Sequence, residues 1–343
     1  MLDMIKNTLI NLFISLTACA AFAPIMIGFL YKFGQVVEIK ASKQGIGKGS
    51  NALFRKIMEV DQTNGTPNMG GILILIIVPI VSLFLLTLTP LLKVLLIGFV
   101  VFGVWGLIDV LFVNSIKENS EMKTMQETFK WRLGKLFVAI LLNCAVTYLI
   151  YKTGLVGNIE LWKGMLISFV PFLIPVIAIV GQFAIYANEL TDGEDGLMIG
   201  IMGIVFAAIA GLLLLQGKYE FIPFIGIVIG SIIVDLYFNI PPARFWNGGP
   251  GAMPLGYAAF FICFVTGNII PYFVITSVTW GIFASSFIQI VSMKFFHKRV
   301  FKIAPIHHHF KALGWPGYKV VMRFWLFTIF TAILGILVGI MIV

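Results

Sequence analysis

Ten apolar stretches, each close to the length that crosses a bilayer, follow one another through the 343 residues. A helix spanning the roughly 30 Å hydrocarbon layer needs about 20 mainly apolar residues. Runs of this kind lie at about 8–33, 71–88, 91–113, 132–151, 165–187, 195–215, 221–239, 254–270, 272–294 and 320–342. Backbone polar groups in lipid must be satisfied within the chain, so such runs fold as helices. Composition agrees: 59% of residues are hydrophobic and 11% charged, against about 25% charged in soluble domains, and mean hydropathy is +1.01. The reading is an all-α integral membrane protein, one multi-pass domain over 1–343. The eighth and ninth runs join through "GNIIPYF", where Pro271 is the expected break. Cys19, Cys144 and Cys263 sit inside apolar runs without metal-like spacing and read as small core residues. The N-terminal "MLDMIKNTLINLFISL" has no small-residue cleavage site after a short core, so it reads as a first span.

Ten spans put both termini on one side. With the termini extracytoplasmic, the cytoplasmic loops are 34–70, 114–131, 188–194, 240–253 and 295–319. Of the 24 Lys and Arg residues, 19 lie on or beside those loops; the other side keeps Lys6, Lys93, Lys152, Lys163 and Lys218. That asymmetry supports this orientation, and it assigns the net charge of +9 to inner loops rather than to nucleic-acid binding.

Four polar motifs and a histidine run all fall on those loops. "NGTPNMGG" (64–71) has turn chemistry and a Gly pair that lets backbone approach a partner. "GLIDVLFVN" (106–114) places Asp109 near the end of the third span, where a carboxylate at membrane depth needs a partner or a task. "NELTDGEDGL" (188–197) sets Glu189, Asp192, Glu194 and Asp195 in a short break between spans. Those acids can hold a divalent cation, pair with Lys and Arg, or accept from a nucleotide base. "NIPPARFWNGGPGAMPLG" (239–256) pairs aromatic residues, which can stack on a base, with Gly-rich backbone that can approach phosphate. The run His307, His308 and His309 lies in "RVFKIAPIHHHFKALGWPG". Adjacent helical residues diverge, and zinc-type company is missing nearby. Phosphate binding suits the imidazoles better, with Lys298, Arg299 and Lys302 adding charge.

These residues resemble a known family. "APIHHHFKALGWPG" followed by "VVMRFW" is similar to the histidine signature of the MraY-type phospho-N-acetylmuramoyl-pentapeptide transferases, within the polyprenyl-phosphate sugar-1-phosphate transferase superfamily. "GTPNMGG" resembles that family's GTPTMGG, "LTDGEDGL" its NLTDGLDGL, and "NIPPARFWNGG" lies where it has N-x-x-P-A-x-V-F-M-G-D. The resemblance covers essentially the whole chain. It implies a reaction at the cytoplasmic face of a bacterial plasma membrane. Phospho-MurNAc-pentapeptide would pass from a UDP-sugar nucleotide to undecaprenyl phosphate, a polyprenyl phosphate lipid, with Mg2+; the products are UMP and lipid I for peptidoglycan. It also implies a homodimer. Residue by residue, Asp109, His307, His308 and His309 take catalytic positions. Thr66, Asn188, Asp192, Asp195, Asn239, Trp246, Lys117 and Lys130 take substrate-binding ones.

The match departs from the family at the acids. The family's Asp pair reads Asp109-Val110 here, and Gly249 stands where the magnesium-binding Asp of G-D-x-G-S belongs. Gln62 and Thr63 occupy the places of a lysine before G-T-P, and Val113 that of another. Asp192, Glu189 and Glu194 are the candidates to hold the ion instead; Asp235, one turn before Asn239, reads as too far along its helix. Two readings follow: a transferase with a rearranged metal site, or a catalytically impaired relative that binds nucleotide-sugar or polyprenyl phosphate as a regulator or scaffold. A transporter fits less well, since polar residues at mid-membrane are few and the motifs share one face.

Overall fold

The computed structural model describes residues 2–33, 66–119, 125–162 and 165–342, with side chains outside 113–132 and 159–162. The helices are α1 (Leu2–Phe33), α2 (Ile72–Leu85), α3 (Pro90–Asn119), α4 (Met125–Thr153), α5 (Ile174–Glu189), α6 (Leu197–Leu215), α7 (Ile222–Asn239), α8 (Gly249–Val265), α9 (Ile269–Ile275), α10 (Ser277–Phe295), α11 (Ile306–Ala312) and α12 (Gly317–Ile342). Among the described residues, eight helices are long and apolar enough to cross a membrane, and α2 and α8 are shorter apolar helices. Each of the ten predicted runs coincides with one of these helices, eight of them of spanning length.

Three boundaries differ from the sequence reading. The fifth run does not begin at 165: β1 (Asn158–Trp162) and β2 (Met165–Ser168) form an antiparallel hairpin, and helix resumes only after a 3-10 turn at Pro171–Leu173. The eighth helix starts at Gly249, so the loop before it is shorter than 240–253. Pro271 lies within α9 rather than at the break, which falls at Gly267, with its positive φ of 74°, and Asn268.

The burial pattern reflects a lipid solvent. Residues 249–264 of α8 are all buried, so this helix is the axis of the bundle. Phe102, Tyr257 and Phe261 pack along it, with Phe102–Tyr257 ring centres 5.0 Å apart and Tyr257–Phe261 5.6 Å. The outer helices turn large apolar side chains outward, such as Phe84 at 84% exposure. In water such surface would be an aggregation liability; in acyl chains it is the ordinary boundary. Some polar side chains within the spans pair across helices. Ser15 Oγ and Ser231 Oγ, 2.8 Å apart, join α1 to α7, and Asn143 Nδ2 donates to Gln182 Oε1 at 2.9 Å between α4 and α5. The helices alternate in direction, so the starts of α2, α4, α6, α8 and α12 and the ends of α3, α5, α7 and α10 meet at one end of the bundle. The start of α1, with Thr8 against Gly226, and the end of α12, with Gly339 O accepting from Gln216, lie at the other.

Candidate active site

The predicted motifs come together at that shared end. The "TPNMGG" backbone (66–71) runs beside "FWN": Trp246 N–H donates to the Pro67 carbonyl at 2.9 Å, Gly70 N–H to Trp246 O at 2.8 Å and Gly71 N–H to Asn247 O at 3.0 Å. Thr66, at the head of this ladder, is buried. The ladder holds the 240–248 loop under the start of α2.

The 188–196 turn locks onto the same loop. Asp192 Oδ2 accepts from Gly248 N–H at 2.7 Å. Asp195 Oδ1 accepts from Trp246 Nε1 at 2.9 Å and its Oδ2 from Ala243 N–H at 3.2 Å. Asn239 accepts from Gly196 N–H at 2.9 Å and donates to Phe245 O at 2.8 Å. Asn188 donates to Ala252 O at 2.6 Å, tying α5 to α8. Asn239 and Asp195 thus spend their polar groups on the protein itself, whereas Trp246 is held by its ring edge with part of its surface exposed. Burial pushes the Asp192 carboxyl up to about 6; the Gly248 N–H opposes that shift, and Asp195 and Glu189 add to it.

The histidine run forms α11, and its three rings diverge as adjacent helical positions must. His307 is fully buried against the 188–196 turn, close enough that a Cβ at Gly193 would collide with its Nε2. Burial, with His308 and Lys311 adding to it, holds His307 well below the usual imidazole range, so the ring is neutral. His308 Nδ1 lies 3.0 Å from Glu194 Oε1, which Lys311 Nζ also reaches at 2.7 Å. His309 turns away and accepts from Lys302 N–H at 3.1 Å. The histidine loop and Asp192 therefore share one end of the bundle and one turn.

Asp109, at the inner edge of α3, pairs with Lys135 Nζ from α4, which also reaches Glu189 Oε1 at 3.2 Å. Of the cations that the sequence offers beside Asp109, namely Lys117, Lys130, Arg132 and Lys135, Lys135 is the one the structure brings to it; the chain between Asp109 and the fourth span has no fixed register from which to choose among them. The side chains of Lys117 and Lys130 lie outside the described residues.

The magnesium position implied by the resemblance does not fit this backbone. A Cβ at Gly249 would lie 2.7 Å from the Gly106 carbonyl oxygen and 2.8 Å from the Gly106 Cα. Helices α3 and α8 close on each other there, backbone to backbone, and leave no room for a side chain. Two of the proposed substitutes are already paired: Glu189 with Lys135, and Glu194 with Lys311 and His308. No three His, Cys, Asp or Glu side chains among the described residues gather about one point. Asp192 remains, beside the vacated position through Gly248. Asp235, though a turn before Asn239 on its own helix, reaches the loop: its Oδ1 accepts from Asn247 Nδ2 at 2.9 Å, two residues before Gly249.

Comparison with known proteins identifies the family. Residues 91–267 match the model of glycosyl transferase family 4. A phospho-N-acetylmuramoyl-pentapeptide-transferase of Caldicellulosiruptor bescii is 29% identical over 98% of both chains. Proteins of the same name from Halalkalibacterium halodurans, 30% identical over 96% of both chains, and Bacillus subtilis, 29% over 92% of both, are similarly related. With a matched region that takes in most of the helices lining the site and relatives aligned from end to end, the chain belongs to glycosyl transferase family 4.

Proposed function

We propose that the chain is a membrane-embedded transferase that moves phospho-N-acetylmuramoyl-pentapeptide from its uridine diphosphate carrier to undecaprenyl phosphate. The observation that carries this reading is the meeting of the histidine helix with the acidic turn: His307 against Gly193, and His308 and Lys311 on Glu194. That meeting assembles imidazoles, carboxylates and an aromatic ring on one polar face, and the full-length relatives carry this activity in their names. The site face is cytoplasmic, the chain ends are extracytoplasmic, and the enzyme works as a homodimer in the bacterial plasma membrane.

Each residue then has a task. Trp246, pinned through Nε1, offers its ring to the uracil. Asn188, Asn239, Asp195 and Thr66 hold the loops that shape the nucleotide pocket, and Lys117 and Lys130 supply positive charge to the phosphates. A phosphate oxygen of the lipid attacks the sugar-bearing phosphorus. A new P–O bond forms, the bond to the UMP phosphate breaks, and UMP leaves with the electron pair. Asp109 Oδ1, buried and without a donor, takes the proton of the acceptor phosphate, while Lys135 holds Asp109 in place through Oδ2. The acceptor enters sideways from the bilayer, beside the lipid-exposed flank of α3.

A second reading rests on the Gly106–Gly249 contact, which closes the family's metal position. On it the chain binds nucleotide-sugar or polyprenyl phosphate without transfer, as a regulator or scaffold. Transfer of radiolabel from UDP-MurNAc-pentapeptide to undecaprenyl phosphate in detergent separates the two. The first predicts labelled lipid that falls by at least about 100-fold in Asp109→Asn, the range of a lost general base. Nucleotide binding with no labelled lipid selects the second.

A further inference from the structure

Beneath the Gly248–Gly249 turn lies an acid that the proposed reaction does not use. Asp235 and Asn247 are both 0% exposed. They share one hydrogen bond, from Asn247 Nδ2 to Asp235 Oδ1. Asp235 Oδ2 and Asn247 Oδ1 remain buried acceptors without any donor. Such atoms are rare in folded proteins and call for a specific explanation. Asp192 interacts electrostatically with Asp235 and grips Gly248 N–H, one residue beyond Asn247. Neither Asp192 nor Asp235 forms an ion pair among the described residues. Asp109 and Glu189 share Lys135, and Glu194 has Lys311. Buried charges are either paired with a counter-charge or bound to a metal, and these two carboxylates have no such partner.

We propose that Asp235, the side-chain oxygen of Asn247 and Asp192 form a site for a hard divalent cation of the magnesium class, on the α7 side of the turn. All three donors are oxygens, which favours magnesium, manganese or calcium over zinc or copper. Two carboxylates with an amide oxygen leave positions for water and for phosphate, as magnesium requires. Asp192 is only partly buried, so it joins the enclosed Asp235–Asn247 pair to the polar face above. The position follows from the packing of α3 against α8. Backbone contact at Gly106 and Gly249 prevents a carboxylate from projecting off the start of α8, and Asp235 delivers one from the neighbouring helix instead. The site deepens the transferase reading and rests on it only for the placing of substrate phosphates near the ion.

The test uses Mn2+ as a probe, with binding to the purified full chain in detergent followed by electron paramagnetic resonance, with and without UMP. One Mn2+ should bind per chain. Asp235→Asn, which keeps the shape and can keep the Asn247 contact, should weaken it at least tenfold, and Asn247→Asp should tighten it. Equal Mn2+ binding by wild type and Asp235→Asn, with the variant melting higher, would mark Asp235 as a structural acid and overturn the site. If Asp235→Asn does not fold, Asn247→Asp decides alone: tighter binding supports the site and unchanged binding overturns it. Asp235-dependent Mn2+ binding without lipid labelling keeps the site and removes the enzyme. Labelling that survives EDTA, together with Asp235-independent Mn2+ binding, removes the site and keeps the enzyme.

Discussion

The two ends of the bundle both carry polar side chains, and they treat them differently. At the end holding the chain termini, Gln216 and Asn268 exchange two hydrogen bonds, at 2.8 and 2.9 Å. Lys218 Nζ donates to Thr266 O at 2.6 Å, and Thr89 Oγ1 to Glu220 Oε1 at 2.6 Å. None of these residues has a buried polar atom without a partner. At the motif end, Asp109, Asn188, Asp235 and Asn247 each keep one such oxygen, and His307 keeps both ring nitrogens. The terminus end also leaves Ser82 Oγ and Trp280 Nε1 without a partner, but the motif end gathers carboxylate, amide and imidazole atoms ready for something that is not protein. Buried unsatisfied groups are costly, and proteins retain them where function requires them.

The sharpest way to break this contrast is to remove a strong internal partner at the motif end. Lys135→Met leaves Asp109 and Glu189 facing each other without their ammonium. Breaking a buried pair in this way costs about 3–5 kcal/mol, and the 15% side-chain exposure of Lys135 places the expected loss near the lower figure. A thermal melt in detergent measures it. Lys218→Met at the other end, which loses the contact to the Thr266 carbonyl, should cost about 1 kcal/mol. Equal losses would mean that the two ends do not differ in kind.

A smaller effect sharpens the comparison by changing sign. Gln216→Leu strips Asn268, which is 2% exposed, of its amide partner and should destabilise by about 1–3 kcal/mol. His307→Leu replaces a ring whose nitrogens bond nothing with an apolar side chain of similar bulk. Its melt should stay level or rise by up to about 1 kcal/mol, while UDP-sugar binding falls. A His307→Leu variant that both unfolds and loses binding would make His307 a structural residue.

Sequence reasoning reached the site unevenly, for physical reasons. The count of spans and the side on which Lys and Arg collect put residues 66–71, 109, 188–195, 239–249 and 307–309 on one face, because charge asymmetry and span parity are long-range signals. The hairpin at 158–168 escaped notice because its second strand, "MLIS", is as apolar as the helix that follows it. Gly249 reads in one dimension as a lost acid; the backbone of Gly106 behind it is visible only in space. Asp235 was set aside by measuring along its own helix, whereas its partner Asn247 arrives through the loop that folds back over that helix. Lys135 depended on a register between Asp109 and α4 that no local pattern fixes.

The mildest expected effect is on pH dependence, and its sign follows from two groups in opposition. His307 is held neutral in the fold, whereas in the unfolded chain it titrates near 6.5. Below that pH the unfolded state binds a proton that the folded state refuses, so stability falls as pH drops. Asp192 acts in reverse. Its carboxyl keeps a proton up to about 6 in the fold, against an ordinary 3.8, so this contribution is full below about 4 and is lost as pH rises toward 6. Between about 4 and 6 the two slopes oppose each other, and wild type should look nearly flat. Subtracting two melts exposes the histidine alone: the gap between His307→Leu and wild type should widen, in favour of the variant, as pH falls from 7 to 5. One proton sets the ceiling at about 1.4 kcal/mol per pH unit. A constant gap would mean that the imidazole takes up its proton at the same pH in the fold as in the unfolded chain, and the motif end would then be better solvated than its unpartnered nitrogens indicate.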